Sequence, residues 1–193
     1  MKIVWLFLLL PVLGAAQSLH WGFLGGTAIQ TPYFPQINEG ISLTPGALVE
    51  FRLPGRFAVE ANALYRRQGY AGPFQLDPER DDVVGGITSR SNVFDVPVLG
   101  KYRHPVLDFV NVFATSGFVR RWRTESFRVS GARGSDVPVP TFPDERTRQN
   151  GFAIGGGVEL DGGTLRMSIG YRYSRLGEFR HDKSHDVLVS FIF

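Results

Sequence analysis

Residues 181–186 read His-Asp-Lys-Ser-His-Asp and are the densest group of reactive side chains in the sequence. Two histidines four positions apart beside carboxylates have the donor types of a metal site. Serine, histidine and aspartate are also the residue types of acyl transfer. A strand or loop spaces such groups loosely, however, and exposed loops are rich in polar residues. We therefore interpret the segment as a solvated loop and predict no catalytic residue, no metal ligand and no cofactor.

A basic patch is formed by the run Arg120, Arg121, Trp122 and Arg123 together with Arg128. Nucleic-acid interfaces combine such residues, but no helix or loop motif for that binding accompanies them here. The net charge of +3, from 21 basic and 18 acidic residues, is also too small to favour a nucleic-acid partner. Two interpretations remain open. The arginines bind phosphate groups through their forked guanidinium donors, or they are long interfacial cations beside a tryptophan at a membrane rim.

The composition favours an all-β chain. The 193 residues include 16 Phe and 23 Gly but only 2 Met, a mixture typical of strands with close backbone contacts. A charged fraction of 20% and an apolar fraction of 43% exclude a disordered chain. Because the sequence has no Cys, it forms no disulfide scaffold and no Cys-ligated zinc or iron–sulfur site.

The first 16 residues have the pattern of a cleaved secretory signal. Lys2 supplies a basic start, residues 3–13 are apolar, and Ala15 and Ala16 precede the expected cleavage point. The apolar run is too short for a membrane-spanning helix, which needs about 20 residues. We predict a signal peptide over residues 1–16 and a single mature domain over residues 17–193.

Most of the mature chain alternates between apolar and polar residues, which is the pattern of β-strands. From residue 41 to residue 53 the odd positions are mostly apolar and the even positions mostly polar, and a Pro54-Gly55 turn leads into a second such run. The pattern predicts eight strands that begin near residues 20, 41, 56, 91, 109, 149, 164 and 185.

The predicted connections alternate in length along the chain. Tight turns are expected at residues 54–55, 104–107 and 161–163, and long loops at residues 31–40, 69–90, 124–148 and 177–184. All long loops therefore emerge at one end of the sheet and all tight turns at the other. An eight-stranded up-and-down antiparallel sheet of this kind closes into a barrel.

Alternation alone does not say which face of the barrel is inside. A lipocalin-like soluble carrier has an apolar interior, whereas a membrane barrel has an apolar exterior. The loop asymmetry favours a membrane barrel, and so do aromatic residues near the strand ends, which suit an interfacial girdle. Those aromatics are Trp21, Phe57, Tyr65, Tyr102, Trp122, Tyr171 and Phe193. A soluble lipocalin-like carrier remains the alternative fold, although its Gly-x-Trp start is missing.

Two segments carry a resemblance to a known family. Residues 94–103 read Phe-Asp-Val-Pro-Val-Leu-Gly-Lys-Tyr-Arg, which is similar to the acid-apolar-Pro-x-Leu-x-Lys-Tyr strand of the small bacterial outer-membrane β-barrel family. The final strand, with Phe191 and a terminal Phe193, resembles the assembly signal of outer-membrane barrels. The resemblance implies an OmpA/OmpX-like eight-stranded barrel in the bacterial outer membrane. It also implies contact with the barrel-assembly machinery through the last strand.

With the apolar face towards lipid, the polar face fills the lumen. We predict an ion network there with five residues of each sign, which favours paired groups over a wide aqueous pore. Its members are Glu50, Arg52, Glu60, Arg66, Asp95, Lys101, Glu159, Arg166, Arg172 and Asp186. The basic patch at residues 120–123 then becomes a predicted lipopolysaccharide rim at the membrane surface.

The expected function is that of a non-enzymatic, monomeric outer-membrane protein. It contributes to envelope structure or to surface interaction through long extracellular loops, with outer-membrane lipid and lipopolysaccharide as its surroundings. Two alternatives stay open: an enzyme that modifies outer-membrane lipid, with residues 181–186 as its seat, and a narrow channel for small solutes.

Overall fold

The computed structural model describes residues 18–30, 42–75, 84–130, 141–177 and 183–193, and every regular element in them is a β-strand. The proposed signal peptide over residues 1–16 lies outside the described residues. No helix among the described residues is long and apolar enough to cross a membrane. The strands are β1 (Ser18–Gln30), β2 (Ser42–Leu43), β3 (Gly46–Arg52), β4 (Phe57–Gln75), β5 (Val84–Leu107), β6 (Val110–Ser130), β7 (Glu145–Asp161), β8 (Arg166–Leu176) and β9 (Lys183–Ile192).

The strands form one closed antiparallel sheet. Each strand from β3 onwards pairs with the next along the chain, and β1 closes the ring by pairing with β9 over Gly22–Gln30. Both β2 and β3 pair with β1, interrupted only at Thr44 and Pro45, so together they occupy one position in the wall. The predicted eight-stranded up-and-down barrel is therefore confirmed.

The ends of several strands differ from the prediction. The tight turn expected at residues 104–107 is wrong, because β5 continues to Leu107 and the turn lies at Asp108 and Phe109. At the opposite end, β4 and β5 remain paired as far as Gln75 and Val84, deep inside the predicted loop 69–90. Strands β6 and β7 likewise extend into the predicted loop 124–148. Apolar residues such as Ile87, Phe127 and Val129 lie on the inner face of these extensions and polar residues on the outer face, so the lipid-facing alternation ends although the backbone pairing continues.

The barrel wall is polar on its inner face and apolar on its outer face, the reverse of a water-soluble protein. Most of the buried side chains are polar or charged, and Glu50 and Glu159 are both 0% exposed. The outer face instead presents large apolar side chains, among them Phe118 at 63% and Ile154 at 53% exposure. A continuous apolar exterior of this extent is unfavourable in water and favourable in lipid. The barrel therefore spans a membrane, and the lipocalin-like alternative is wrong.

Glycines let an aromatic side chain lie flat against the inner wall. The ring of Phe113 fills the space over Gly157 and Gly170, where a Cβ atom would come within 2.9 Å and 3.0 Å of its Cζ atom. On its other side the ring faces Lys101, whose Nζ atom is 4.5 Å from the ring centroid. The glycine-rich part of β7 is thus a packing surface that anchors an interior cation–π contact.

Candidate functional site: the charged lumen

The first group of interior charges, the lower cluster, lies towards the short-turn end of the barrel. Lys101 and Arg103 project from β5 and meet carboxylates from three other strands. Because β5 is adjacent to neither β3 nor β7, the ion pairs cross the lumen. The lower cluster consists of Glu50, Glu60, Lys101, Arg103, Glu159 and Arg166.

Hydrogen bonds join the side chains of the lower cluster across several strands. Lys101 Nζ donates to Glu159 Oε2 at 2.8 Å and to Glu50 Oε2 at 3.3 Å. Arg103 Nε donates to Glu159 Oε1 at 2.8 Å, and its Nη2 atom donates to Glu50. Arg166 Nη1 donates to Glu50 Oε1 at 2.8 Å. Three cations and three carboxylates, with Glu60 beside Lys101 at 3.5 Å, make this cluster electrically neutral.

Arg52 extends the lower cluster towards the mouth of the barrel. Its guanidinium lies 3.7 Å from Glu50 and 3.7 Å from Asp161 at the end of β7. The side chain of Arg52 is 32% exposed, unlike the almost fully buried Glu50. The charged side chains therefore change from fully buried in the interior to partly exposed at the mouth on the short-turn end.

The second group, the upper cluster, lies further towards the long-loop end. Its members are Arg66, Asp95, Arg121, Arg172 and Asp186. Arg66 bonds to Asp95 on the neighbouring strand and donates across the lumen to Asp186 Oδ1 at 3.2 Å. Arg172 Nη2 donates to Asp186 Oδ2 at 2.7 Å. All five residues are at most 5% exposed, so these charges are buried together in the lumen.

A small cavity of about 50 Å³ lies between the two clusters. Glu60 and Lys101 line it from the lower cluster and Arg172 lines it from the upper one. Asn62 also lines it; its amide nitrogen donates to Glu60 Oε1 at 2.9 Å, while its Oδ1 atom has no partner among the described residues. Most of the remaining lining is apolar, so the polar groups occupy only one part of this small cavity.

Sequence reasoning missed two members of the clusters. Arg103 was left out of the network, although it shares the odd-numbered face of β5 with Asp95 and Lys101. Arg121 was assigned to the lipopolysaccharide rim with its three neighbours. The structure instead buries Arg121, with its Nε atom 2.7 Å from Asp95 Oδ1, so its place in the rim is wrong. Period-two alternation along β6 is the sequence signal that places Arg121 on the inner face and Arg120 on the outer face.

The predicted rim divides between the two faces of β6. Arg123 lies on the interior face with Arg121; its Nε atom donates to Ser91 Oγ at 2.9 Å and its Nη2 atom pairs with Glu125 at 2.9 Å. Arg120 and Trp122 face outwards, with the guanidinium 5.2 Å from the indole ring. Successive strand residues point to opposite sides of the wall, so four consecutive residues cannot form one patch.

The reactive segment around residue 185 does not assemble a catalytic group in its described part. His181 and Asp182 lie outside the described residues. Ser184 and Asp186 face the lumen, where Ser184 Oγ donates to Asp186 Oδ1 at 2.7 Å. His185 faces outwards and its Nδ1 atom lies 2.5 Å from the hydroxyl of Tyr171. The imidazole is therefore on the opposite side of the wall from the serine and the aspartate.

Aromatic rings lie in pairs on the outer face of the barrel near its short-turn end. Trp21 lies 5.3 Å from Phe193 and Phe57 lies 5.2 Å from Tyr102, measured between ring centroids. Phe193 is 46% exposed, and its amide nitrogen donates to Trp21 O at 2.8 Å. Phe191 is 43% exposed on the same outer face. The amphipathic rings of Trp21 and Tyr102 are of the kind enriched at a membrane interface.

The outer face near the long-loop end carries basic side chains. None of the outward-facing side chains on the described strands is an aspartate or a glutamate, because all the strand carboxylates lie on the inner face. The outward-facing cations of this region are Arg67, Arg90, Arg120, Arg128, Arg146, Arg148, Arg175 and Lys183. The two faces of the wall therefore differ in charge as well as in polarity.

Comparison with known proteins shows the fold. No family model matches the sequence, and no curated protein matches it. Among solved structures it is similar to Neisserial surface protein A, with 9% identity, a TM-score of 0.52 and coverage of 90% of this chain and 94% of that chain. It is also similar to Ail, the attachment invasion locus protein of Yersinia pestis, with 12% identity, a TM-score of 0.50 and coverage of 91% and 97%. The chain is an eight-stranded transmembrane β-barrel with the fold of the small bacterial outer-membrane barrels of the OmpA/OmpX type.

Proposed function

We propose that this protein is a non-enzymatic barrel of the bacterial outer membrane that contributes to the envelope as a closed element. The observation that carries the proposal is the pair of charged clusters in the lumen. Each cluster joins strands on opposite sides of the barrel, and their carboxylates and cations bond to one another rather than lining an open path. Breaking a buried ion pair is costly, so the clusters favour a permanently filled interior.

A solute-flux experiment tests the closed lumen. Purified protein is refolded into lipid vesicles loaded with dextran, which are transferred into an isotonic solution of a small sugar, and swelling is followed by light scattering. We expect no swelling above that of protein-free vesicles. Swelling that rises with the amount of refolded protein would overturn the proposal. Refolding is verified beforehand by the shift in gel mobility on heating that a barrel shows.

A narrow channel is the second candidate function, and the cavity between the clusters favours it. Glu60 and Lys101 give the cavity a polar side that suits an ion, although leucine side chains and Phe113 form much of the rest of its lining. Conduction through it requires the charged layers on both sides to open. The same vesicles loaded with a potassium-sensitive dye distinguish a channel for small ions, which admits potassium but no sugar, from a filled barrel, which admits neither.

An enzyme that modifies membrane lipid is not favoured by the described side chains. The imidazole of His185 faces outwards while Ser184 and Asp186 face the lumen, so one substrate atom cannot meet all three. Expression of the parent protein and of Ser184→Ala in the same host, followed by mass analysis of outer-membrane lipid, tests this. We expect the same lipid profile from both and from cells without the protein.

We infer that the barrel has two further partners. Its last strand contacts the barrel-assembly machinery, and its outer surface contacts lipopolysaccharide. The exposed rings of Phe191 on β9 and of Phe193 directly after it suit recognition by the barrel-assembly machinery. Arg120 and Trp122, packed together on the lipid-facing side, suit contact with lipopolysaccharide at the membrane surface. Substituting Phe193 by Ala is expected to lower the yield of assembled barrel in cells without preventing refolding of the purified protein. Equal yields from the two chains would contradict the role of Phe193.

A further inference from the structure

Three arginines form a diagonal row on the outer face of β4, β5 and β6. Arg67 pairs across β4 and β5 with Asn92, and Arg90 lies two positions from Asn92 on the same face. Arg90 in turn pairs with Ser126 on β6, and Arg128 lies two positions beyond Ser126. Each arginine is therefore the diagonal neighbour of the next, at a spacing of about 7–8 Å.

The three arginines line an open cleft of about 380 Å³. Its lining consists of Arg67, Thr88, Arg90, Asn92, Ser126 and Arg128. The three arginine side chains are exposed, and none of them bonds to a carboxylate among the described residues. Among the described residues, the arginines of the lumen pair with carboxylates, whereas these three outer arginines do not. A cleft lined by three guanidinium groups with hydroxyl and amide groups between them is suited to an anion.

The chemistry of the lining selects phosphate-like groups. A guanidinium presents five N–H donors in a planar fork that matches two oxygens of a phosphate. Thr88 and Asn92 add neutral donors, while the hydroxyl of Ser126 donates to Arg90 O at 3.4 Å, and none of the lining side chains is acidic. The diagonal spacing of the arginines allows one phosphate to lie between two neighbouring guanidinium groups. Three arginines therefore suit a ligand with more than one phosphate group.

The position of the cleft on the wall identifies the source of the anion. Tyr65, Phe94 and Trp122 are register partners and form an aromatic band across β4, β5 and β6. Arg67 lies two residues beyond this band on its strand, Arg90 four and Arg128 six. At about 3.3 Å per residue, these offsets span about 7 to 20 Å along the strands. The row thus continues the lipid-facing surface into the depth of the headgroups at the long-loop end.

We propose that Arg67, Arg90 and Arg128 form a binding site for the phosphates of a phosphorylated glycolipid of the outer leaflet. The inference rests on the proposed location of the barrel in the outer membrane, and it adds a lipid site that is separate from Arg120 and Trp122. The occupant is a membrane lipid rather than a free anion, because the cleft opens sideways towards the membrane above the aromatic band. The lipid acyl chains lie against the apolar surface below the band.

Binding to purified lipid A in detergent tests the site. The refolded full-length chain is compared with R67Q/R90Q/R128Q by microscale thermophoresis, using bisphosphorylated lipid A, its dephosphorylated form and inorganic phosphate as separate probes. R67K/R90K/R128K retains the charge and removes the planar forks. Arg56→Gln, an exposed arginine in the turn at the opposite end of the barrel, is the control for loss of one positive charge and is compared with Arg90→Gln.

The parent chain is expected to bind bisphosphorylated lipid A, with affinity lowered by about tenfold or more in the triple glutamine variant. The triple lysine variant is expected between the two, Arg90→Gln below the parent, and Arg56→Gln equal to it. Equal binding by the parent and the triple glutamine variant would overturn the inference, as would equal binding of the dephosphorylated lipid. Binding of inorganic phosphate as tight as that of lipid A would show a simple anion site instead. A heat-modifiable, closed barrel that fails to bind lipid A contradicts this inference alone, whereas a leaky barrel contradicts the proposed function.

Discussion

Asp95 accepts a two-pronged hydrogen bond from Arg121 across the β5–β6 pair inside the barrel. Arg121 Nε lies 2.7 Å from Asp95 Oδ1, and Arg121 Nη2 lies 2.9 Å from Asp95 Oδ2. The same carboxylate also bonds to Arg66 on the opposite neighbouring strand. One carboxylate thus ties three consecutive strands together within the upper cluster, and such bidentate pairs are among the stronger polar interactions in proteins.

Removing the charge of Asp95 is expected to destabilise the barrel. Asp95→Asn leaves the guanidinium of Arg121 buried without its carboxylate, and losing one partner of a buried pair costs about 3–5 kcal/mol. The free energy of unfolding is measured by urea titration in lipid vesicles. Asp144→Asn, the same change at an exposed position outside the strands, is the control and should leave stability unchanged. Similar stabilities for the two variants would contradict the role assigned to Asp95.

The geometry of the Asp95–Arg121 pair is tested separately from its charge. Arg121→Lys keeps a cation on β6 but replaces the two parallel hydrogen bonds by a single ammonium contact. We expect a loss of about 1.5–3 kcal/mol in the free energy of unfolding, the range for a hydrogen bond to a charged group. The matched control is Arg120→Lys, which changes the adjacent outward-facing arginine. If both lysine variants unfold at the same urea concentration, the fork at Asp95 contributes nothing specific.

The packing of Phe113 on glycine makes a prediction about the inner wall. Gly170→Ala places a methyl group 3.0 Å from Phe113 Cζ and 3.2 Å from Gly156 O, so we expect a loss of about 1–3 kcal/mol from overpacking. Phe113→Leu in the same chain should restore part of the loss. Gly25→Ala, whose Cβ meets nothing within 4 Å, should be close to neutral. Thermal unfolding followed by gel mobility ranks the four chains, and no rescue by the double variant would refute the contact.

The outer face is tested by placing a charge on it at two depths. Val98 is 45% exposed and lies on the outer face between Ala61 and Phe118, whereas Thr124 lies beyond the aromatic band. A lysine at mid-membrane depth costs about 2–4 kcal/mol and one near the interface about 0–1 kcal/mol. Val98→Lys should therefore lower the free energy of unfolding far more than Thr124→Lys. Equal costs for the two lysines would contradict the membrane depth assigned to Val98.

Period-two alternation predicted the barrel because it holds wherever one face of the wall meets lipid and the other meets the lumen. Arg66 and Asp95 could be assigned to the interior from their positions alone. The inward position of Arg121 is hidden in the sequence because four consecutive basic and aromatic residues suggest a single patch. Arg103 was overlooked because it stands beside a predicted turn that the structure places at Asp108 and Phe109.

The partners within the lumen could not be predicted from the sequence. Alternation gives the face of a residue but not its height or its neighbour across the barrel, which depend on strand register and tilt. The pairing of Arg166 with Glu50, on strands far apart in the sequence, is an example. The row formed by Arg67, Arg90 and Arg128 was hidden for the same reason, because its members become neighbours only through the register of β4, β5 and β6.

Single-channel recording tests the closed lumen most directly. The purified, heat-modifiable protein is inserted into a planar lipid bilayer in potassium chloride, and the current is recorded over a range of voltages. The paired charges of the lower and upper clusters predict no stable, large unit conductance, with at most brief small events. A large and stable unit conductance from the pure protein would contradict the account, because it requires an open path through both clusters.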